Sequence, residues 1–167
     1  MRRLMQLSGI SLVTALLVAL LMISVAGASA SQATTDSGHL LTATLTPVLG
    51  STDTTIQGVG PGGLPWVLAS GHVNLSTGGL LEASVDGLLF APGTPNGLPG
   101  TRGPIAQVFA SLVCANGPIV NSDPVTFTTE GDAHFHQWLT LPNRCVAPIV
   151  LIRANVGNGP WLAASGF

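Results

Sequence analysis

After an apolar N-terminal run, glycine and proline interrupt the chain so often that no apolar stripe keeps a 3.6-residue period. Helices are therefore not expected beyond that run. Between these breaks the residues alternate. Leu41, Ala43 and Leu45 interleave with Thr42, Thr44 and Thr46. Leu81, Ala83, Val85 and Leu89 interleave with Glu82, Ser84 and Asp86. Side chains along a strand point to opposite faces in turn, so each run reads as a strand with one apolar face. Trp66–Leu75 reads the same way, with Val67, Ala69, Val73 and Leu75 inward. The short Ser76–Gly79 link to Leu80–Phe90 predicts a β-hairpin. Ile105–Cys114 and Ala147–Ala154 are apolar on nearly all sides and are expected to be central strands. Ala91–Pro104 is dense in glycine and proline and is expected to be a long loop. About eight short strands punctuated by turns predict an all-β fold, an antiparallel β-sandwich of immunoglobulin-like or jelly-roll-like type.

Most of the chemistry is concentrated in one stretch, Gly131–Cys145. As a strand it places Ala133, Phe135, Leu139 and Leu141 on one face, with Gln137 their only polar companion. Asp132, His134, His136, Trp138 and Thr140 share the other face. Pro142 and Asn143 end the strand, since proline gives no N–H to a ladder.

The N-terminus has the form of an export leader. Arg2 and Arg3 precede an uncharged stretch, and Ala28-Ser29-Ala30 fits a small-x-small cleavage site. Residues 1–30 are read as a signal peptide, 31–39 as a polar lead-in and 40–167 as a single domain. An uncleaved anchor is the alternative, because about 20 apolar residues span a bilayer. Beyond residue 30 there are three arginines, Arg102, Arg144 and Arg153, no lysine and seven acids. Such a chain forms no basic patch. Nucleic acid is not an expected partner, and neither is a membrane once the leader is removed. The alanine- and leucine-rich leader and the lack of lysine suggest a bacterial source and a secreted or cell-envelope location.

Cys114 and Cys145 are the only cysteines. An even count in an exported chain favours a disulfide, while a buried thiol pair or a set of metal ligands are the alternatives. Closing a loop of about 30 residues stabilises by roughly 3–4 kcal/mol in the chain-entropy account.

Three candidate functions follow. Asp132-x-His134-x-His136 places a carboxylate and two imidazoles on one strand face about 6.5–7 Å apart, a spacing from which zinc or copper can be held. His72 is a candidate fourth ligand. The bland alternative is a solvated sheet face. Secondly, Trp66, Trp138 and Trp161 are expected on outward faces, where indoles stack sugars or contact a protein partner. The alternative is that they plug the ends of the sandwich. Thirdly, the chain acts as a non-catalytic binding or structural protein whose partner, protein or glycan, is not readable from sequence. Hydrolase signatures are absent: there is no Gly-x-Ser-x-Gly, and without lysine there is no Ser-x-x-Lys. Leu98-Pro99-Gly100-Thr101 is not a sorting signal, because it is internal and followed by Arg102. Asn74-Leu75-Ser76 is a formal glycosylation sequon.

One internal echo stands out. Pro65–Gly71 matches Pro160–Gly166 at five of seven positions. It marks either two strand starts covered by tryptophan or two structurally equivalent strands.

The series Gly63-Leu64-Pro65-Trp66, Gly71-His72-Val73-Asn74-Leu75, Gly79–Leu88, Ala110-Ser111-Leu112-Val113-Cys114, Gly131-Asp132-Ala133, Leu141-Pro142-x-x-Cys145 and Trp161-x-Ala163-x-Ser165-Gly166 resembles a group of small exported bacterial β-proteins of unknown function. That resemblance covers nearly the whole chain after the leader and implies no activity. The Gly71–Leu89 strand pair and Ala133-His134-Phe135-His136 are similar to the CHRD domain, which implies a β-sandwich module of secreted proteins.

Overall fold

The computed structural model describes residues 38–95 and 98–166. The expected leader and most of the expected lead-in lie outside the described residues. Eleven strands run in chain order: β1 (His39–Pro47), β2 (Trp66–Val67), β3 (Ser70–Ser76), β4 (Leu80–Asp86), β5 (Leu89–Phe90), β6 (Gln107–Val113), β7 (Val120–Asn121), β8 (Val125–Thr126), β9 (Ala133–Trp138), β10 (Ile149–Ala154) and β11 (Trp161–Ser165). The described residues contain no helix, as the glycine and proline spacing requires. The count exceeds the expected eight chiefly because two strands expected to be continuous are each divided, into β2 and β3 and into β4 and β5.

The large sheet runs β7-β6-β10-β11-β1-β3-β4-β9, with β8 also on β6, while β2 and β5 pair separately. Every pairing between these strands is antiparallel. The expected antiparallel all-β architecture is present, with the large sheet curled so that its two halves share β1. β1 is the pivot: its first part pairs β3 through Thr44↔His72, and its last three residues, Leu45–Pro47, pair β11. The inward residues of both halves meet in a single core containing Val73, Leu75, Leu81, Val85, Leu112, Phe127, Leu151 and Leu162.

Gln137 explains its own place among apolar neighbours. Asp123 N–H donates to its Oε1 at 2.8 Å, and its Nε2 donates to Asp123 O at 3.2 Å. The side-chain amide thus acts as a peptide group and ties β9 to the β7–β8 connection.

Two strands expected to be continuous are broken, and each break reverses faces. Trp66–Leu75 divides at Leu68–Ala69, so Trp66 is buried and Val67 is 42% exposed, the opposite of the expected order. Leu80–Phe90 divides at Gly87, whose φ of +63° few other residues adopt. Leu88 and Phe90 are buried as a result, while Leu89 is only partly covered. A one-residue shift in period two moves every later side chain to the other face.

The β3–β4 hairpin is present. Its last turn residue, Gly79, has φ +98°, and a Cβ there would lie 2.3 Å from the Leu139 carbonyl oxygen. Only glycine admits that approach. The end of β9 is held there by the Leu139 N–H, which donates to Gly79 O at 2.8 Å.

Cys114 and Cys145 form the disulfide, with Cα atoms 5.0 Å apart and a sequence separation of 31. It staples the end of β6 to the segment leading into β10, and these two strands are neighbours in the sheet. β6 and β10 are the expected central strands. Within the expected loop, residues 98–101 lie against β5, where Phe90 N–H donates to Thr101 O and Gly100 N–H to Phe90 O. The two echoed segments are not equivalent, because β2 pairs β5 whereas β11 pairs β1 and β10. What they share is a core tryptophan beside Val48, which accepts from Trp66 N–H and donates to Leu162 O.

Candidate outer-face site

β9 alternates as its sequence dictates. Ala133 and Phe135 are buried, while His134, His136 and Trp138 are exposed. Pairing then decides what lies beside them. One row across the outer face reads Thr44, His72, Ser84, His134. The next reads Thr42, Asn74, Glu82, His136. Leu80 stands opposite Trp138. His39, at the start of β1, reaches the second row through its Nδ1, which lies 2.6 Å from Asn74 Oδ1. Thr42 also donates to that oxygen, at 3.4 Å. All four histidines of the chain thus belong to strands β1, β3 and β9 of one half-sheet.

The rows are cross-linked. Ser84 is nearly buried at 7% exposure, and its Oγ lies 3.2 Å from His72 Nδ1. Ser70 donates to Asp86 Oδ2 at 2.7 Å. His136 Nε2 lies 3.8 Å from Glu82 Oε1. Both side chains of that pair are more than half exposed, so as an ion pair it contributes about 0–1 kcal/mol.

The expected ligand set is divided. Asp132 turns back to the β4–β5 corner, where its Oδ1 accepts the Gly87 N–H at 2.8 Å, while its own N–H donates to Thr128 Oγ1 at 3.1 Å. Its carboxylate caps the face reversal at Gly87 instead of standing free beside His134. His72 lies on β3, two strands from β9, with Ser84 between them. Among the described residues no three His, Cys, Asp or Glu side chains already converge as a metal site.

The expected tryptophan platform is corrected as well. Trp66 is 3% and Trp161 4% exposed, so neither can stack a ligand. Trp66 packs on Phe90 with ring centroids 4.1 Å apart. Trp138 alone is uncovered, at 71%, and its ring lies beside Gly78 of the hairpin turn. Glu82 and Asn74 were readable as outward residues of their own strands. Their place beside β9 was not, since no local signal states which strands pair. The sequon at Asn74 sits mid-strand in β3, whereas glycosylation acceptors favour surface loops.

Three clefts, of about 280, 330 and 300 Å³, are lined in turn around Leu49 and Trp161, around Ile56 and Ile149, and around Arg153 and Asn158; none is lined by a histidine. Arg153 is a structural cation in the third: its guanidinium stacks 4.9 Å from the Phe109 ring centroid and donates to Gly159 O and Asn158 O. Away from the face, the Thr129 hydroxyl donates to Glu130 and holds its carboxyl below the ordinary carboxylate range.

Among the described residues no helix is long and apolar enough to cross a membrane, and the disulfide is compatible with an oxidising compartment. Comparison with family models, with curated proteins and with solved structures returns no match.

Proposed function

We propose that the protein is an exported, non-catalytic binding protein of the bacterial cell envelope or extracellular space. Its recognition surface is the outer face of β1–β3–β4–β9, and its ligand class is a glycan. One observation carries this reading: Trp138 is left 71% exposed while the other two tryptophans are buried to 4% or less. An indole buries about 150–250 Å² when covered, so leaving one open forgoes a large apolar contribution unless a ligand covers it. Its neighbours suit a sugar. Asn74, Glu82 and His136 form a polar row, and Thr140, two residues past Trp138, is exposed. Pyranose C–H faces stack on an indole while the hydroxyls take side-chain hydrogen bonds. The disulfide and the leader-like N-terminus support an extracellular setting.

The test is binding of the purified protein to an array of bacterial and plant glycans, followed by calorimetry on any hit. Binding that is lost in Trp138→Ala, with the unfolding midpoint unchanged, supports the reading. Glycan binding that survives Trp138→Ala, or no glycan binding with a protein recovered on the same face by cross-linking, replaces it.

A further inference from the structure

We infer that His134, His136 and Glu82 form an open zinc site on the outer face, with Glu82 in the place that sequence spacing assigns to Asp132. The argument begins with which carboxylate is available. Asp132 accepts the Gly87 N–H at 2.8 Å, and moving it would strip a hydrogen bond from the β4–β5 corner. Glu82 has no such duty. It stands directly opposite His136 in the β4–β9 register, and its Oε1 is already 3.8 Å from His136 Nε2. Zinc bonds of about 2.0–2.2 Å place tetrahedral donors roughly 3.3–3.6 Å apart. This pair therefore needs only a few tenths of an ångström to become two corners of a zinc tetrahedron.

His134 supplies the third corner. It leaves the same strand face two residues earlier, about 6.5–7 Å away at the backbone. It is exposed and makes no hydrogen bond or ion pair among the described residues, so nothing holds its imidazole back. No three donors converge as they stand. The site forms by side-chain rotation of His134 towards the Glu82–His136 pair, with no change in backbone. His72 is not a ligand, because it lies two strands from β9 and its Nδ1 faces Ser84 Oγ at 3.2 Å. Two imidazoles and one carboxylate with a free fourth position are a zinc donor set; copper(II) binds the same donors more tightly by the general order of divalent affinities. The fourth position faces solvent, on the same face as Trp138.

The experiment is titration of the full-length chain, purified without a histidine tag, with zinc chloride, followed by calorimetry. The absorption of cobalt(II) in its place reports coordination geometry. The expected result is saturable uptake of one equivalent with a tetrahedral cobalt spectrum. His134→Ala plus His136→Ala abolishes it. Glu82→Gln weakens it by at least about tenfold, the smaller of the losses seen even when a partner behind a ligand is removed. Trp138→Ala, which removes an indole and no zinc donor, leaves zinc uptake unchanged, so loss of glycan binding in that variant is distinguishable from loss of the zinc site. The inference is overturned by the absence of saturable uptake, by uptake that persists in the double histidine variant, or by Glu82→Gln matching the native chain. Unchanged unfolding midpoints in the exposed-residue variants exclude loss of fold as the cause.

Discussion

Gly79→Ala should be far more damaging than Gly78→Ala, although the two positions are adjacent in one turn. At Gly79 the backbone has φ +98°, and the added methyl would lie 2.3 Å from the Leu139 carbonyl oxygen, about 1 Å inside contact distance. Holding a side chain at such a φ costs of order 1–3 kcal/mol. Relieving the clash pushes the strand end away and breaks the Leu139 N–H to Gly79 O bond of 2.8 Å, worth about 1 kcal/mol net. The sum is about 2–4 kcal/mol. For a domain of this size that lowers the melting midpoint by roughly 6–16 °C. At Gly78 no unusual φ occurs and the nearest atom to an added methyl is Trp138 Cζ3 at 3.7 Å, an ordinary contact. Gly78→Ala should stay within about 0.5 kcal/mol of the native chain. Urea unfolding followed by tryptophan fluorescence measures both. Equal midpoints for the two variants would refute the claim that Gly79 admits the end of β9 to the hairpin.

Other perturbations separate structural from surface roles. Trp138→Ala should change stability by less than about 0.5 kcal/mol, whereas Trp66→Ala, which removes a 3% exposed ring from Phe90, should cost about 3–5 kcal/mol in thermal unfolding. Gln137→Leu removes both bonds to Asp123 and should cost about 1–2 kcal/mol; hydrogen exchange should rise first at Asp123, whose N–H loses its acceptor. Reducing the Cys114–Cys145 bond, or replacing both by serine, should lower stability by about 3–4 kcal/mol, visible as a shift in urea midpoint with and without reductant.

The residues made much of this structure legible before any contact was known. β9 is the clearest case: Ala133 and Phe135 face in and His134, His136 and Trp138 face out, as the alternation states. The β3–β4 hairpin, the central β6 and β10, and the disulfide were equally readable. The long reading of Trp66–Leu75 failed at Leu68–Ala69, where nothing in the residue types announces a break. Its consequence was the misplaced tryptophan: Trp66 stands on the buried side of a strand whose period restarts after it. The place of the Asp132 carboxylate was unreadable for a similar reason, because the Gly87 N–H that it caps belongs to a corner 45 residues earlier in the chain.

The sequence by itself therefore determined the all-β class, the two faces of each short strand and the covalent cross-link. These depend on period two, on residue type and on a pair of cysteines, all of which are local or compositional. Only the tertiary structure decided that β4 lies beside β9 and β3 beside β4, and so that Glu82 meets His136 and Ser84 separates His72 from His134. Strand neighbours and register are selected by how all the apolar faces close together on one core, and that energy is shared across the chain and written in no single stretch of it.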